Sequence, residues 1–336
     1  MNSNIRNAAV LVVVALGAAC NNNQSAIVPP SFDRPSRMAL GCYDGVAGHF
    51  LPLADCADRD NESDENEEDA LRHIALVLQT SRGEIGTVDL QAEEAIDSDP
   101  FIPGYTFIRV GELPSAIVLP ERRPDVTFVA SFGSRTVESI DTTRLIPGAT
   151  RVNTTPLATN VIGLDAGATD LAYFEVGADD ASPRFLFATL PETSQLLQIP
   201  VGPDGALGTP VALNLAATIP PYLAAGGGAD ALRVCPANEA VRSSDAFART
   251  PVALDVVSRP VRVKVVTGPT GSELLVADSA LPIIHRYSLD ATGATELLPI
   301  SVAVPTTDFA VTPLVPVALE AAVATEEDWH TEYLAA

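Results

Sequence analysis

The sequence predicts an all-β chain built from repeated hairpins. The most regular repeat, VASFGSRTVESID, ends at Asp141 and joins a strand at Val126–Ser131 to a second at Thr136–Ile140 through a break at Gly133–Arg135. Two short strand-like runs around such a break predict a β-hairpin, and each strand is expected to bury one face. Frequent Pro (27) and Gly (22) also favour many short elements over long helices.

Length and charge narrow the classes of protein. The 336 residues, 47% of them apolar, suffice for one large domain or two small ones with a substantial core. The formal charge of −23 argues against nucleic-acid binding, because phosphate contacts need a basic surface. It also gives no reason to expect attraction to anionic lipid.

Residues 1–19 have the form of an export signal. Arg6 precedes the apolar run Ala8–Leu16, which is too short to span a bilayer, and small residues follow. Cys20 then stands where a lipoprotein signal is cut and lipidated. The alternative is an ordinary export signal cut after Ala19, since Gly17 replaces the leucine usual three residues before a lipidated cysteine. We predict an exported protein anchored by lipid at Cys20 to a bacterial membrane, facing the periplasm or the cell surface.

The region after the signal divides into two predicted segments. Residues 20–40 are polar and rich in Pro, which predicts a flexible tether. Residues 41–70 form a Cys-bounded and acidic segment, and the repeats occupy 71–336. Cys42 and Cys56 predict a local disulfide in an exported chain. A metal site that adds His49 is the alternative, but it offers too few ligands for zinc.

The run Asp58–Asp69 is the densest acidic stretch. Asp58, Asp60 and Glu62 alternate as in a calcium loop, but Ser63 occupies the sixth position, where that loop requires Gly. A solvated acidic loop is therefore favoured, with weak calcium binding left open. No other metal and no cofactor is predicted.

Four repeats carry the fold prediction. The predicted hairpins are Ile74–Leu90, Val126–Ile140, Arg184–Val201 and Glu273–Leu289. Additional strands at Pro114–Leu119 and Pro260–Val266 precede two of them. Four short strands in a repeated unit are typical of a blade in a β-propeller.

Repeat spacing sets the expected number of blades. Leu78, Ala130 and Ala188 are 52 and 58 residues apart, whereas Ala277 follows after 89, close to two units. A degenerate blade is therefore expected in Pro210–Arg259, which makes five blades and a partial sixth within a range of five to seven. The ring is either closed by the C-terminal tail around Trp329, as a short helix or a strand, or it is incomplete.

The units resemble YVTN-type β-propeller repeats of exported bacterial proteins. The resemblance covers most of His73–Pro313 and is closest in VASFGSRTVESID, while Phe185–Val201 and Leu275–Asp290 match it loosely. It implies a propeller fold. It implies no single function, because these propellers serve in binding, scaffolding and catalysis.

Residues that could carry chemistry are scattered. The chain has no G-x-S-x-G, P-loop, G-x-G-x-x-G or H-E-x-x-H motif. The histidines His49, His73, His285 and His330 lie on unrelated segments. His285 is interpreted as an ordinary strand residue for which no partner can be placed, and Cys235 as a structural cysteine.

Three aspartates at strand ends have a structural interpretation. Asp141, Asp278 and Asp290 fall where predicted strands give way to turns. Side chains of this type commonly accept hydrogen bonds from the backbone N–H groups of a turn. We interpret them in this way, and not as paired catalytic carboxylates.

The favoured function is a binding or scaffolding module on the cell envelope. Its partners would be the membrane, through the lipid anchor, and an unidentified protein or envelope ligand. One alternative is a propeller hydrolase or lactonase with a metal in the central channel. The other is a truncated propeller without independent activity.

Overall fold

Four antiparallel sheets follow one another along the chain in a computed structural model of the protein. The structure describes residues 34–57, 71–97, 107–146, 158–213 apart from 178 and 180, 257–302 apart from 269 and 270, and 304–311. It also describes residues 32 and 215 and the short strands 218–219, 252–253, 315–316, 329–330 and 333–335. We call the four sheets blades 1 to 4.

Blade 1 begins earlier than the sequence predicts. Its elements are β1 (Pro35–Asp44), β2 (His49–Leu51), helix α1 (Ala54–Ala57), β3 (Leu71–Gln79), β4 (Glu84–Asp89), β5 (Glu94–Ala95) and β6 (Phe107–Arg109). The strand order is β2-β1-β3-β4-β5, and β6 also pairs with β4. β1 pairs with β3 from Pro35 to Asp44. The sheet thus begins at Pro35, within the predicted tether and before the predicted start of the repeats at residue 71. The sequence did not indicate this strand because β1 has little apolar patterning and is held by backbone pairing with β3.

Blades 2 and 3 are four-stranded meanders. Blade 2 contains β7 (Pro114–Val118), β8 (Val126–Ser131), β9 (Thr136–Asp141) and β10 (Ala158–Gly163), with a 3₁₀ helix at Thr142–Leu145. Blade 3 contains β11 (Asp170–Glu175), β12 (Arg184–Leu190), β13 (Gln195–Pro200) and β14 (Val211–Leu213). Each strand pairs antiparallel with the next one in sequence.

Blade 4 has the same topology and is followed by short pairs. It contains β17 (Pro260–Gly268), β18 (Gly271–Asp278), β19 (Ile283–Asp290) and β20 (Gly293–Ser301), and before it β15 (Thr218–Ile219) pairs with β16 (Val252–Ala253). After it, β21 (Phe309–Val311) pairs with β24 (Tyr333–Ala335), and β22 (Val315–Pro316) pairs with β23 (Trp329–His330). The predicted hairpins in all four blades are confirmed, and the tail around Trp329 forms strands and not a helix.

The blades stack face to face, so their second strands bury both faces. In β8, Phe128 and Ala130 pack toward blade 3, while Val129 packs toward blade 1. In β12, Leu186 packs toward blade 2 and Phe187 toward blade 4. Burial of each such large side chain contributes about 2 kcal/mol. The expectation of one buried face per strand is therefore wrong, and the apolar runs are continuous because a blade has neighbours on both sides.

Blades 3 and 4 are direct neighbours. Phe187 and Leu196 share a buried cluster with Leu274 and Tyr287. The Thr169 hydroxyl of blade 3 donates to the carbonyl oxygen of residue 261 in blade 4 at 3.0 Å. The degenerate blade predicted in Pro210–Arg259 therefore does not lie between them. Blades 3 and 4 are thus adjacent although 89 residues separate their equivalent positions, and most of the segment between the two blades lies outside the described residues.

The first strands of successive blades are also linked by ion pairs. Arg262 of β17 lies 3.5 Å from Asp170 of β11. Its Nε and Nη2 atoms donate to the two carboxylate oxygens of Asp308, at 2.8 and 2.9 Å. These bonds hold the start of β21 against blade 4. This is the position that the first strand of a following blade would occupy. The fold is a β-propeller with six strands in blade 1 and four antiparallel strands in each of blades 2 to 4, and its described sheets do not close into a ring.

The two ends of each blade differ. One end carries the connections that follow β7, β11 and β17, and we call it the loop end. The other carries four-residue turns at 80–83, 132–135, 191–194 and 279–282, and we call it the turn end. In blades 1 to 3 the last turn residue is left-handed, at Gly83 (φ 69°), Arg135 (φ 55°) and Ser194 (φ 55°). The strained residue of blade 2 is thus Arg135 and not the nearby Gly133.

Candidate functional site

Three cavities lie at the loop end, one between each pair of successive blades. Their volumes are about 640 Å³ between blades 1 and 2, about 480 Å³ between blades 2 and 3, and about 510 Å³ between blades 3 and 4. These volumes are in the range of small-molecule sites. The loop that follows β7, residues 119–125, contributes to all three cavities.

The cavity between blades 2 and 3 contains a network of arginines around one carboxylate. Glu175, at the end of β11, accepts hydrogen bonds at Oε1 from Nε of Arg123 at 3.1 Å and from Nε of Arg184 at 2.9 Å. The side chains of Arg184 and Glu175 are only 2% and 4% exposed, and that of Arg123 is 24% exposed. The network therefore joins the loop of blade 2 to the first two strands of blade 3 in a setting of low solvent access.

Carbonyl oxygens orient both guanidinium groups. Nη1 of Arg123 donates to the carbonyl oxygen of Pro203 at 3.3 Å, and Nη2 of Arg184 donates to that of Asp179 at 2.9 Å. Since two nitrogens of each guanidinium donate to fixed acceptors, the polar wall of the cavity is preorganised.

Two aromatic rings form the apolar side of the same cavity. Phe128 of β8 and Tyr173 of β11 are stacked, with ring centroids 5.7 Å apart and an angle of 17° between their planes. Burial, followed by the negative charge of Glu175, raises the pKa of the Tyr173 phenol. Tyr173 is therefore protonated at neutral pH and its hydroxyl can act as a hydrogen-bond donor.

Arg122 completes the cavity. It is exposed and lines both the cavity between blades 2 and 3 and the cavity between blades 3 and 4. Within the described part of the chain no carboxylate lies within ion-pair distance of Arg122. Pro120 and Pro124 flank the segment that carries it and restrict its backbone.

Sequence reasoning missed this cluster. Tyr173, Glu175 and Arg184 occur in ordinary strand patterns, and only the fold brings them together. One signal was available, because Arg122 and Arg123 are the only two adjacent Arg or Lys residues in a chain of charge −23.

The structure joins Cys42 and Cys56 by a disulfide, with Cα atoms 5.6 Å apart. This distance lies within the normal range for a disulfide. The bridge holds the chain around α1 against β1, beside the cavity between blades 1 and 2. Cys20, Cys235 and the acidic run Asp58–Asp69 lie outside the described residues.

The three strand-end aspartates accept backbone hydrogen bonds, as interpreted from the sequence. Asp141 accepts from the N–H of Thr143, and Asp290 accepts from that of Thr292. Asp278 accepts from the N–H groups of residues 280 and 281, at 2.8 and 2.9 Å.

His285, however, has the partner that sequence reasoning did not find. Its Nε2 lies 3.0 Å from Oδ2 of Asp278, and the Ser258 hydroxyl donates to the same oxygen. The two residues are paired because β18 and β19 are adjacent across the turn at 279–282. Ser258 and Asp278 both approach Nε2 of the imidazole, so the group lacks the order of contacts of a catalytic triad, in which the base bridges the other two residues.

The two other histidines whose side chains the structure describes, His49 and His73, do not lie together in one site. Nδ1 of His73 lies 2.8 Å from Nε2 of Gln91, and His49 lies in β2. The side chain of His330 lies outside the described residues. Within the described ranges, no three His, Cys, Asp or Glu side chains are placed to hold a metal ion. The same residues include no helix with the length and apolarity needed to cross a membrane.

Comparison with known proteins gives information about the fold only. No model of a known protein family matches the chain, and no curated protein matches it. Among solved structures, it is similar to a putative 6-phosphogluconolactonase from Bacteroides uniformis, with 13% identity, a TM-score of 0.41, and coverage of 77% of this chain and 66% of that one.

Two further structures show the same level of likeness. The chain is 11% identical to the Dos1 propeller, with a TM-score of 0.38 and coverage of 72% of this chain and 48% of that one. It is 12% identical to BBS1N in its complex with ARL6DN, with a TM-score of 0.39 and coverage of 72% and 54%. The chain thus spans about half the length of these two proteins. At such TM-scores the likenesses carry no argument about ligand or activity, and the class of the protein, a β-propeller, rests on its own sheets.

Proposed function

We propose that this protein is a binding module whose ligand site is the cavity between blades 2 and 3. One observation carries the proposal: the wall of the cavity is preorganised by the Glu175 network, and Arg122 remains exposed at its mouth with no carboxylate partner in the described structure. A purely structural ion network would be saturated by its own residues. An additional cation beside a shaped cavity is what a ligand site requires.

A blocking variant tests the site. Asp125 is exposed at the rim, so Asp125→Trp should fill the entrance without disturbing the buried network. Glu192→Trp, in the turn of blade 3 at the opposite end, is the matched control. Thermal unfolding is recorded with a panel of monosaccharides, amino acids and organic acids, since a ligand at 100 times its Kd stabilises the fold by about 2.7 kcal/mol.

The expected result is that at least one compound raises the Tm of the unaltered protein and of Glu192→Trp, but not of Asp125→Trp. The proposal is wrong if the same compounds stabilise Asp125→Trp equally, or if no compound stabilises the unaltered protein.

We further propose that the module is a YVTN-type propeller held on a bacterial membrane by lipid on Cys20. The apolar run Ala8–Leu16 followed by small residues supports export, and three acyl chains would give firm anchoring at about 0.8 kcal/mol per buried methylene. Membrane fractionation and intact mass test this, with Cys20→Ser as the unacylated control. Recovery of the unaltered protein in the soluble fraction, at the mass of a chain that begins with unacylated Cys20, would overturn the anchor.

A further inference from the structure

Arginine is more frequent around this cavity than the composition of the chain leads one to expect. The chain has 20 Lys and Arg against 43 Asp and Glu. Even so, the cavity between blades 2 and 3 is lined by Arg122, Arg123 and Arg184, and the first two are adjacent in sequence. An arrangement of this kind favours an anionic ligand group, because arginine presents a fork of donors that matches planar anions.

The buried network does not provide that anion. Arg123 and Arg184 share the single carboxylate of Glu175, so these three side chains together carry one net positive charge. Arg122 adds a second positive charge. The cluster as a whole therefore has more guanidinium than carboxylate in contact with it.

Three aspartates also line the cavity, but two of them are directed at backbone groups. Oδ1 of Asp141 accepts from the N–H of Thr143 at 3.1 Å, and Oδ1 of Asp204 accepts from that of Ala206 at 3.1 Å. The third, Asp125, lies at the rim. These charges lower the local potential, so they disfavour a doubly charged phosphate more strongly than a carboxylate with one charge.

The remaining wall suits the body of a small organic molecule. The ring of Tyr173, stacked on the buried ring of Phe128, forms an apolar surface with the side chain of Val126 beside the arginines. A cavity of about 480 Å³ accommodates a ring or a short chain next to the charged group.

We infer that the ligand of this cavity is a small organic acid whose carboxylate is received by Arg122 while its body lies against Tyr173 and Val126. This inference rests on the proposed binding function and adds the class of ligand. Arg122 is the residue that determines the preference for an acid.

Paired probes test the inference on the full-length protein by calorimetric titration at pH 7.5. The acids D-glucuronate, benzoate and succinate are compared with the neutral counterparts D-glucose, benzamide and succinamide, and with inorganic phosphate. At least one acid should bind, with an affinity about 10-fold or more above that of its neutral counterpart and of phosphate, because a hydrogen-bonded charge pair accounts for a factor of about 10 to 100.

Variants identify the residue responsible. Arg122→Gln should weaken binding of that acid about 10- to 100-fold and leave its neutral counterpart unaffected. Arg82→Gln, an exposed arginine in the turn of blade 1 at the opposite end, is the matched control and should bind as the unaltered protein does.

The outcomes separate the inference from the function on which it rests. Equal binding of acid and neutral counterpart, tighter binding of phosphate, or unchanged affinity in Arg122→Gln would overturn the organic-acid inference. A neutral compound that Asp125→Trp excludes would at the same time support the binding site. If none of the acids binds, the inference is wrong whatever the panel of neutral compounds shows.

Discussion

Two polar clusters, one at each end of the blades, are each built around a single carboxylate. They differ in the balance between that carboxylate and the donor groups around it. At the turn end of blade 4, Asp278 accepts hydrogen bonds from Ser258, from the N–H of Arg259 and from the N–H groups of its own turn, and it lies 3.0 Å from Nε2 of His285. At the loop end, Glu175 is shared by Arg123 and Arg184, with Arg122 exposed nearby.

The difference separates a structural cluster from the proposed binding site. The Asp278 cluster lies within one blade, and the carboxylate has more donors than it needs. The Glu175 cluster connects two blades and borders two cavities, and its arginines outnumber the carboxylate in contact with them. A saturated buried carboxylate stabilises a fold, whereas surplus cations beside a cavity remain able to bind a ligand.

The largest expected effect is the loss of the saturated cluster. Asp278→Ala should destabilise the protein by about 4 kcal/mol in urea unfolding, because several buried donors lose their acceptor at once. Asp290→Ala is the control, since Asp290 occupies the corresponding place at the end of β19 but is exposed. A variant of Asp278 as stable as the Asp290 variant would contradict the structural role.

Removal of the Glu175 carboxylate, which Arg123 and Arg184 share, should reduce the stability somewhat less than the loss of Asp278. Glu175→Gln should destabilise by about 3 kcal/mol, because Arg184 remains buried without its charge partner. The double variant Glu175→Gln, Arg184→Met should recover part of that loss in the same urea measurement, since no unpaired charge remains. If the loss of stability in the double variant instead equals the sum of the losses in Glu175→Gln and Arg184→Met alone, Glu175 and Arg184 are not coupled in the folded protein.

The Asp278 cluster should also make the stability of the fold sensitive to acid. Burial alone would raise the pKa of Asp278, but hydrogen bonds from His285, Ser258 and backbone N–H groups outweigh it and hold the pKa below its usual value. A carboxyl group with a lowered folded pKa stabilises the fold above its unfolded pKa of about 4, and this stabilisation is lost as the pH falls from about 4 through the folded pKa. Stability should therefore decline below about pH 4.

Asp278→Asn is the variant that tests the assignment. Its Tm, already lower at pH 7, should fall less steeply between pH 4.5 and pH 2.5 than that of the unaltered protein, because the titrating group is absent. An identical slope in the two proteins would assign the acid sensitivity to other carboxylates.

The smallest expected effect is that of Arg122 on stability. Arg122→Gln should change the free energy of unfolding by less than about 0.5 kcal/mol, as is usual for exposed residues without specific partners. Urea unfolding in buffer without organic acids measures this, and Arg82→Gln is the reference. A loss comparable to that of Glu175→Gln would place Arg122 in the structural network and not at a ligand site.

Local sequence predicted most of the fold because a hairpin is a local structure. Val126–Asp141 specifies two strands and a turn through residues adjacent in the chain, and the structure contains that hairpin. Arg135 shows the limit at the same place, because its left-handed backbone is imposed by the four-residue turn and not by its own preference.

Repeat spacing was less informative than repeat form. The 89 residues between Ala188 and Ala277 were consistent with an additional blade or with an insertion. The buried contact of Phe187 with blade 4 shows that no further blade lies between blades 3 and 4. Spacing reports how far apart two units lie in the chain, and only packing reports which faces touch.

The sequence by itself determined the all-β class, the four hairpins and the turn-capping aspartates, because each depends on residues within about 20 positions of one another. The tertiary structure alone decided which blades are neighbours, and that Arg122 and Arg123 of blade 2 line one cavity with Tyr173 and Arg184 of blade 3. Those contacts join strands and loops of different blades or across a blade, and no local pattern encodes them. The proposed ligand site therefore depends on blade stacking, whereas the blade itself depends on local sequence.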